Sequence, residues 1–225
     1  MQQPIKVTYK STTSAYTANK WLHSLPDLIA CDFEAAIKYT PEQLAEWQRQ
    51  LDEDTLTKLE RKRLESLLSA TALDHPSHVV ITHLQIAISE TEAYVFILDN
   101  KRITDLVLTF LVTTTKKQIW HNASYDFRLI YYFTGKMPIN YEDTALRAKC
   151  ILNHVETHQA KVGLKQLAGA RYGAWAISPD NFTVEQMYEE SVLTYAAIDS
   201  CATMWLWHSI NRHVKEANES LPITK

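Results

Sequence analysis

A short apolar segment that ends in two carboxylates is the feature of this sequence that most constrains its fold. Residues 28–34 read LIACDFE. Alternate side chains of a β-strand project from the same face, so we expect Asp32 and Glu34 to lie side by side. Burying two acids together is costly unless a cation lies between them, and hard divalent cations prefer oxygen ligands. The segment therefore predicts a metal site that carboxylates from elsewhere in the chain complete.

Length and charge narrow the class of protein. A chain of 225 residues is long enough for one substantial core and short for two, so we predict a single domain over residues 1–225. Hydrophobic residues make up 46% and charged residues 22%, as in ordinary globular proteins. The 23 basic and 26 acidic residues give a net charge of -3, which excludes a strongly cationic coat for nucleic acid.

The cysteines and the apolar segments indicate the cellular compartment of the protein. Cys31, Cys150 and Cys201 are odd in number and widely spaced, which favours reduced core thiols over disulfides or a zinc site. Residues 1–6 show no apolar signal region, and no stretch reaches the roughly 18 apolar residues that span a bilayer. We therefore expect a cytoplasmic protein with no membrane partner.

The first third of the chain contains a helical pattern after the acidic strand. Residues 1–20 are polar and predict an arm with a short edge strand at 5–9, followed by a short helix from Trp21. Thr40, Pro41 and Gln43 form a helix-start signature. Leucines at helical spacing follow, so residues 40–75 are predicted to form a helical hairpin inserted in the domain. Its charged side chains indicate a solvated face more strongly than a phosphate-binding surface.

The remainder predicts an α/β fold. Residues 79–88 and 93–98 are β-branched and aromatic, which is typical of a hairpin that extends the first strand into an antiparallel sheet. An amphipathic helix over 103–111 and a short strand at 118–121 come next. Further helices are expected at about 124–134, 143–153, 163–172 and 190–215.

A second acidic position follows the strand at 118–121. Asn122 or Ser124 is expected to cap the next helix, which places Asp126 in its first turn at the edge of the sheet. A favourable charge at a helix N-terminus would also explain Asp126 by itself.

A third acidic position lies near the carboxyl end. Tyr195 and Asp199 are four residues apart on a helical pattern, so they share one face. Small residues surround them, including Ala196, Ala197 and Cys201, and allow close packing against a sheet. An aspartate facing the core needs a partner such as a metal, although an intrahelical contact at the surface is the simpler alternative.

Together the three positions resemble, in order, the exonuclease motifs of the DEDD superfamily in its tyrosine subtype. This superfamily includes the proofreading domains of family A DNA polymerases and the ribonuclease D group. The resemblance covers about residues 28–210, and HNASYD at 121–126 is similar to phage-type versions. It implies a ribonuclease H-like fold, an α/β mixed sheet flanked by helices. The inserted helical hairpin departs from the family pattern, and no polymerase domain follows.

The resemblance also implies residue roles. Asp32, Glu34 and Asp199 would hold one divalent cation, Mg²⁺ or Mn²⁺. Asp32 and Asp126 would hold a second, while Tyr195 would orient the attacking water. For the substrate, Phe33 is a candidate stacking platform or a core residue, and Asn122 a candidate contact or a helix cap.

The function implied is a metal-dependent 3′ to 5′ exonuclease that releases 5′-mononucleotides from DNA 3′ ends. A ribonuclease of the same fold is the nearest alternative, because the motifs do not read the 2′-hydroxyl. A separate DNA polymerase is an expected partner if the chain is a split proofreading subunit. A catalytically silent docking module is disfavoured because all four acids and Tyr195 are present, and chance acids at three ordered positions are less favoured still.

Overall fold

The computed structural model describes residues 4–53, 56–68, 76–152, 162–173, 175 and 184–220. These residues form six strands and eight α-helices. The strands are β1 (Thr8–Thr12), β2 (Leu28–Ile37), β3 (Val79–Ala87), β4 (Glu92–Ile97), β5 (Lys117–Trp120) and β6 (Tyr141–Asp143). The helices are α1 (Ala15–Ser24), α2 (Pro41–Asp52), α3 (Lys58–Leu68), α4 (Lys101–Thr113), α5 (Ser124–Thr134), α6 (Thr144–Leu152), α7 (Leu164–Tyr172) and α8 (Glu190–Ser220).

The strands form one mixed sheet in the order β1-β4-β3-β2-β5-β6. β2, β3 and β4 are antiparallel neighbours, whereas β5 and β6 continue the sheet parallel to β2. β1 adds a parallel strand beyond β4. The predicted α/β mixed sheet flanked by helices is confirmed, and its arrangement is that of a ribonuclease H-like fold.

Each face of the sheet has its own hydrophobic core. On one face Ile29, Cys31 and Phe33 of β2 pack with buried residues of α1, α4 and α5. On the other face Ala30 of β2 packs with small buried residues of α8. The alternation predicted from the sequence of β2 is therefore present. Its odd-numbered residues face the first core, and Asp32 and Glu34 point to the opposite face, which α8 covers.

Helix α8 crosses the sheet as the longest element, with 31 residues and a length of roughly 46 Å. The residues that it presents to the sheet are small, and Ala196, Ala197, Cys201 and Ala202 are fully buried. Small side chains let a helix backbone approach a sheet closely, as the sequence predicted. This close approach brings the middle of α8 next to the middle of β2.

Several predicted boundaries differ from the structure. β2 extends past Glu34 to Ile37, and the amino-terminal strand is Thr8–Thr12 rather than residues 5–9. Helix α1 begins at Ala15, well before Trp21, because the Ser14 hydroxyl accepts a hydrogen bond from the Thr17 amide at 3.3 Å. The expectation of an arm through residue 20 was therefore wrong.

The helix pair predicted between the acidic strand and the next strand is present as α2 and α3, and residues 69–75 of that prediction lie outside the described residues. Thr40 and Gln43 form the predicted capping box. Cys31 and Cys201 are buried as expected, but Cys150 is exposed because it lies on the outer face of α6. The expectation that all three thiols belong to the core was wrong for Cys150.

No helix in the described ranges is both long enough and apolar enough to cross a membrane.

Candidate active site

Strand β2 presents two acids to α8 from the centre of the sheet. Asp32 and Glu34 are two residues apart and half-buried. The pairing of β2 with β3 shifts register directly after Glu34, where Thr82 of β3 is the extra residue. The Thr82 hydroxyl donates to the Glu34 carbonyl at 3.1 Å. A β-bulge of this kind re-aims the neighbouring side chain, so local backbone geometry sets the direction of Glu34.

Helix α8 supplies the third acid. Oxygen atoms of Asp32, Glu34 and Asp199 all lie within 4.8 Å of one another, and we call these three residues the carboxylate cluster. Asp199 is buried, with 7% of its surface exposed. The indole N–H of Trp175 donates to Asp199 Oδ1 at 2.6 Å. Residues far apart in the chain thus bring three carboxylates within the reach of a single cation.

Asp126 lies beside the carboxylate cluster without being part of it. It is in the first turn of α5, as predicted, and is 4% exposed. Its Oδ1 accepts a hydrogen bond from the Phe33 backbone amide at 3.2 Å. Because Phe33 separates Asp32 from Glu34, this bond connects the start of α5 directly to the acidic segment of β2.

Burial raises the pKa values of all four acids. Burial raises the pKa of Asp32 and of Glu34 well above the usual range, and the negative charges of neighbouring acids raise them further. Burial likewise raises the pKa of Asp199, and it raises that of Asp126 to about 7. Among the described residues none of the four forms an ion pair. A set of close, uncompensated carboxylates fits a hard divalent cation.

Tyr195 and Lys165 form the wall of the site next to Asp199. The Lys165 ammonium donates a hydrogen bond to the Tyr195 hydroxyl and lies 4.4 Å from the centre of its ring. Burial raises the pKa of Tyr195 above its ordinary value of 10, and the charge of Asp199 adds to this effect. The phenol is therefore protonated at neutral pH. The positive charge of Lys165 lowers the pKa values of Glu34 and Asp199, which partly offsets the increase caused by burial.

A cleft of about 560 Å³ opens next to the acids. Asp32 and Asp199 line it together with apolar, basic and polar residues. The basic and polar residues include His121, Asn122, Lys149, Lys165 and Gln166. The cleft is therefore lined by carboxylates and by the ammonium groups of Lys149 and Lys165.

Asn122 takes a different local role from the one predicted. Its φ of 57° lies in the left-handed region, which asparagine tolerates better than most residues. Neither Asn122 nor Ser124 caps α5: the helix begins after Ala123 without a side-chain cap. Instead the Asp143 carboxylate accepts hydrogen bonds from the backbone amides of Asn122 and Ala123, at 3.1 and 3.0 Å. The capping expectation was wrong, and the exposed Asn122 side chain stays a predicted substrate contact.

Phe33 lies in the core rather than in the cleft. Only 5% of its surface is exposed, and its ring centre is 6.0 Å from that of Trp120. Of the two alternatives for this residue, the structure shows the core position, and a direct contact with substrate stays a prediction. Its backbone amide is nevertheless part of the site through Asp126.

Two residues of the site had no individual role in the sequence prediction. Gln85 of β3 donates to both Asp32 and Glu34, and Trp175 donates to Asp199. A polar residue in the apolar run of β3, directly beside the acidic strand, was a signal for Gln85. Trp175 follows α7 in an irregular segment, where no periodic pattern points to it.

Comparisons with known proteins find relatives by structure only. No protein-family model matches the chain, and no curated protein sequence does. The Nibbler EXO domain of Aedes aegypti superposes with a TM-score of 0.65 at 10% identity, covering 96% of this chain and 94% of that one. Brucella melitensis NrnC with bound Mg²⁺ gives a TM-score of 0.54 at 14% identity, with 97% and 85% covered.

Escherichia coli RNase D, described as an exoribonuclease involved in structured RNA processing, gives a TM-score of 0.55 at 12% identity. The match covers 94% of this chain but 46% of RNase D, so the chain spans about half the length of that enzyme. A second structure of Brucella melitensis NrnC holds pGG and matches with a TM-score of 0.54 at 15% identity. At such identities the likeness shows a common fold, which this chain shares with these proteins.

Proposed function

We propose that this protein is a metal-dependent 3′ to 5′ exonuclease that removes 5′-mononucleotides from nucleic acid ends. The observation that carries the proposal is the carboxylate cluster. Three acids from β2 and α8 converge within 4.8 Å, and Asp126 binds the backbone between two of them. The shared fold with nucleases supports the same reading.

In this proposal the acids divide two divalent cations between them. Asp32, Glu34 and Asp199 hold one ion, and Asp32 and Asp126 hold the other, with Mg²⁺ or Mn²⁺ as the metal. When bound, such ions generate an attacking hydroxide and neutralise the charge on the leaving oxygen. Every ligand is a carboxylate, the type that suits Mg²⁺ and Mn²⁺. Mg²⁺ bound to NrnC agrees with this choice.

Tyr195 orients the attacking water by donating a hydrogen bond. Its raised pKa keeps the phenol protonated, so it does not act as a general base at neutral pH. The hydrogen bond from Lys165 holds the phenol oxygen next to Asp199. This arrangement supports the tyrosine subtype that the sequence motifs resemble.

DNA is the first substrate of the proposal, and RNA is the alternative. The alternative has support in RNase D, which is described as an exoribonuclease, and in NrnC with pGG. Lys149 and Lys165, which line the cleft, suit the phosphates of either polymer. A proofreading role beside a separate DNA polymerase belongs to the DNA form of the proposal.

The decisive experiment is a time course on a 5′-labelled single-stranded DNA oligomer with Mg²⁺, beside a matched RNA. We expect a ladder that shortens from the 3′ end and disappears with EDTA or in the Asp32→Asn variant. The ratio of the two rates identifies the polymer. A folded protein that cleaves neither polymer with Mg²⁺ or Mn²⁺ would contradict the proposal and favour a docking module.

A further inference from the structure

Gln85 is the residue of β3 that lies directly opposite Asp32 in the register of the sheet. Its side chain is fully buried. The side-chain amide nitrogen donates to Asp32 Oδ2 at 2.6 Å and to Glu34 Oε1 at 3.2 Å. One NH₂ group thus bridges the two acids of β2 and holds them at a constant separation.

The other atom of this amide has no partner. Gln85 Oε1 is buried and makes no hydrogen bond within the part of the chain that the structure describes. A buried acceptor without a partner destabilises a fold, whereas an apolar side chain of the same shape avoids this penalty. The unpartnered oxygen costs stability, so what a glutamine provides at this position is the pair of hydrogen bonds that its NH₂ group donates to the acids.

The donor on Gln85 is neutral, which matters beside a cation site. A lysine or arginine in its place would neutralise the acids and compete with a divalent ion for them. The donors to the other acids are also neutral: the Trp175 indole binds Asp199 and the Phe33 backbone amide binds Asp126. These contacts orient the carboxylates and leave their charge available.

We propose that Gln85 is a positioning residue of the metal centre, whose amide holds Asp32 and Glu34 in the orientation that a divalent cation requires. The inference rests on the proposed function, since it assigns Gln85 to the same site. Hydrogen bonds to metal-binding carboxylates fix ligand geometry, and their loss typically costs about 10- to 100-fold in metal affinity.

The test replaces Gln85 by an apolar residue of similar length and uses Gln118 as the matched control. Gln118 lies on β5, is also fully buried, and donates to the Leu111 carbonyl at 2.8 Å, away from the acids. Its Oε1 likewise has no partner in the described ranges. We expect Gln85→Met to weaken Mn²⁺ binding by about 10-fold or more in calorimetry, while Gln118→Met changes it less than about twofold.

The dependence of hydrolysis on metal concentration adds a readout that a purely structural role does not move. For Gln85→Met we expect half-maximal activity at about 10-fold higher Mn²⁺, with turnover at saturating Mn²⁺ within about threefold of wild type. Equal Mn²⁺ affinity in folded Gln85→Met and wild type would overturn the inference and leave the proposed function intact. A wild-type protein that binds no Mn²⁺ would overturn both.

A measurement on the wild-type protein covers the case in which Gln85→Met does not fold. The side-chain amide signals of Gln85 and Gln118 are followed by nuclear magnetic resonance during a Mg²⁺ titration. We expect the Gln85 signal to shift with saturation at the Mg²⁺ affinity of the site, and the Gln118 signal to stay in place. An unmoved Gln85 signal at saturating Mg²⁺ overturns the inference.

Discussion

Asp143 ends the outermost strand β6, whereas the carboxylate cluster lies on the central strand β2 and on α8, and the oxygens of these acids are used very differently. Asp143 accepts hydrogen bonds from the backbone amides of Asn122, Ala123, Ala145 and Leu146, at 2.8–3.3 Å. Within the described residues, the three acids of the carboxylate cluster accept side-chain hydrogen bonds from Gln85, Trp175 and Tyr195. An acid whose oxygens are filled by amides anchors the backbone, whereas acids with oxygens to spare are suited to a metal.

Asp126 is intermediate between these two cases. It accepts hydrogen bonds from the Phe33 backbone amide and from its own, whereas Asp143 accepts them from four backbone amides. It also shares the raised pKa of the carboxylate cluster. The acids therefore differ in how many hydrogen bonds their carboxylates accept from backbone amides of the protein itself. Variants at these acids test whether this difference separates stability from metal binding.

The largest effect is expected from removing an acid of the carboxylate cluster. Asp199→Ala deletes a proposed metal ligand, and several kcal/mol of transition-state stabilisation depend on the metal. We expect hydrolysis of a labelled oligomer to fall by at least about 10³-fold. Circular dichroism is expected to show an intact fold. Retained activity in this variant would refute the assignment of the site.

Asp126 provides a test through pH. Its pKa of about 7 is higher than the ordinary value of 3.8, so the folded protein binds the proton more tightly than the unfolded chain does. In EDTA its contribution to stability is complete below about pH 4 and is lost as the pH rises to about 7. Relative to Asp126→Asn, the wild type is expected to lose up to about 4 kcal/mol over this range.

The measurement for Asp126 is urea unfolding of both proteins from pH 4 to pH 8. With Mg²⁺ present the difference is expected to shrink, because the ion neutralises the carboxylate that burial destabilises. Two parallel stability curves in EDTA would show that Asp126 resembles Asp143 more than it resembles the carboxylate cluster.

Asp143 is expected to affect stability rather than metal binding. Asp143→Ala leaves several backbone amides at the starts of α5 and α6 without an acceptor, at a cost of about 2 kcal/mol. Urea unfolding measures this loss, and calorimetry with Mn²⁺ is expected to give an affinity within about threefold of wild type. A loss of Mn²⁺ binding as large as that of Asp199→Ala would remove the distinction between the two regions.

The smallest effect is expected at Asn122. Asn122→Gly keeps the left-handed backbone, because glycine adopts a φ of 57° without strain. Stability is therefore expected to change by less than about 0.5 kcal/mol. Loss of a side-chain hydrogen bond to substrate predicts a KM increase of about five- to tenfold with kcat unchanged. An unaltered KM means that Asn122 contributes only its backbone.

The elements that carry the acids were predictable because each depends on a local pattern. Alternation in β2 orients Asp32 and Glu34, and helical spacing aligns Tyr195 with Asp199. The helices over residues 124–134 and 164–172 were predicted within one residue of their observed ends. Periodicity predicts which face of a strand or helix a side chain occupies, and the placement of these side chains follows mainly from it.

The contacts between segments were not predictable in the same way. Gln85 meets Asp32 through strand register, and Asp143 reaches Asn122 across 21 positions of sequence. Asn122 and Ser124 had the residue types of helix caps, but the acceptor came from the neighbouring strand. The start of α1 was missed because the buried face of this helix consists of only Ala18 and Leu22, which gives a weak apolar period.

The position of α8 after all six strands in the sequence has a consequence for protein synthesis. Asp199 is added 167 positions after Asp32, which takes roughly 8–30 s at ordinary translation rates. A nascent chain that already displays all six strands still lacks Tyr195 and Asp199. The hydrolytic capacity proposed for this protein therefore arises only once α8 has been translated and has packed on the sheet.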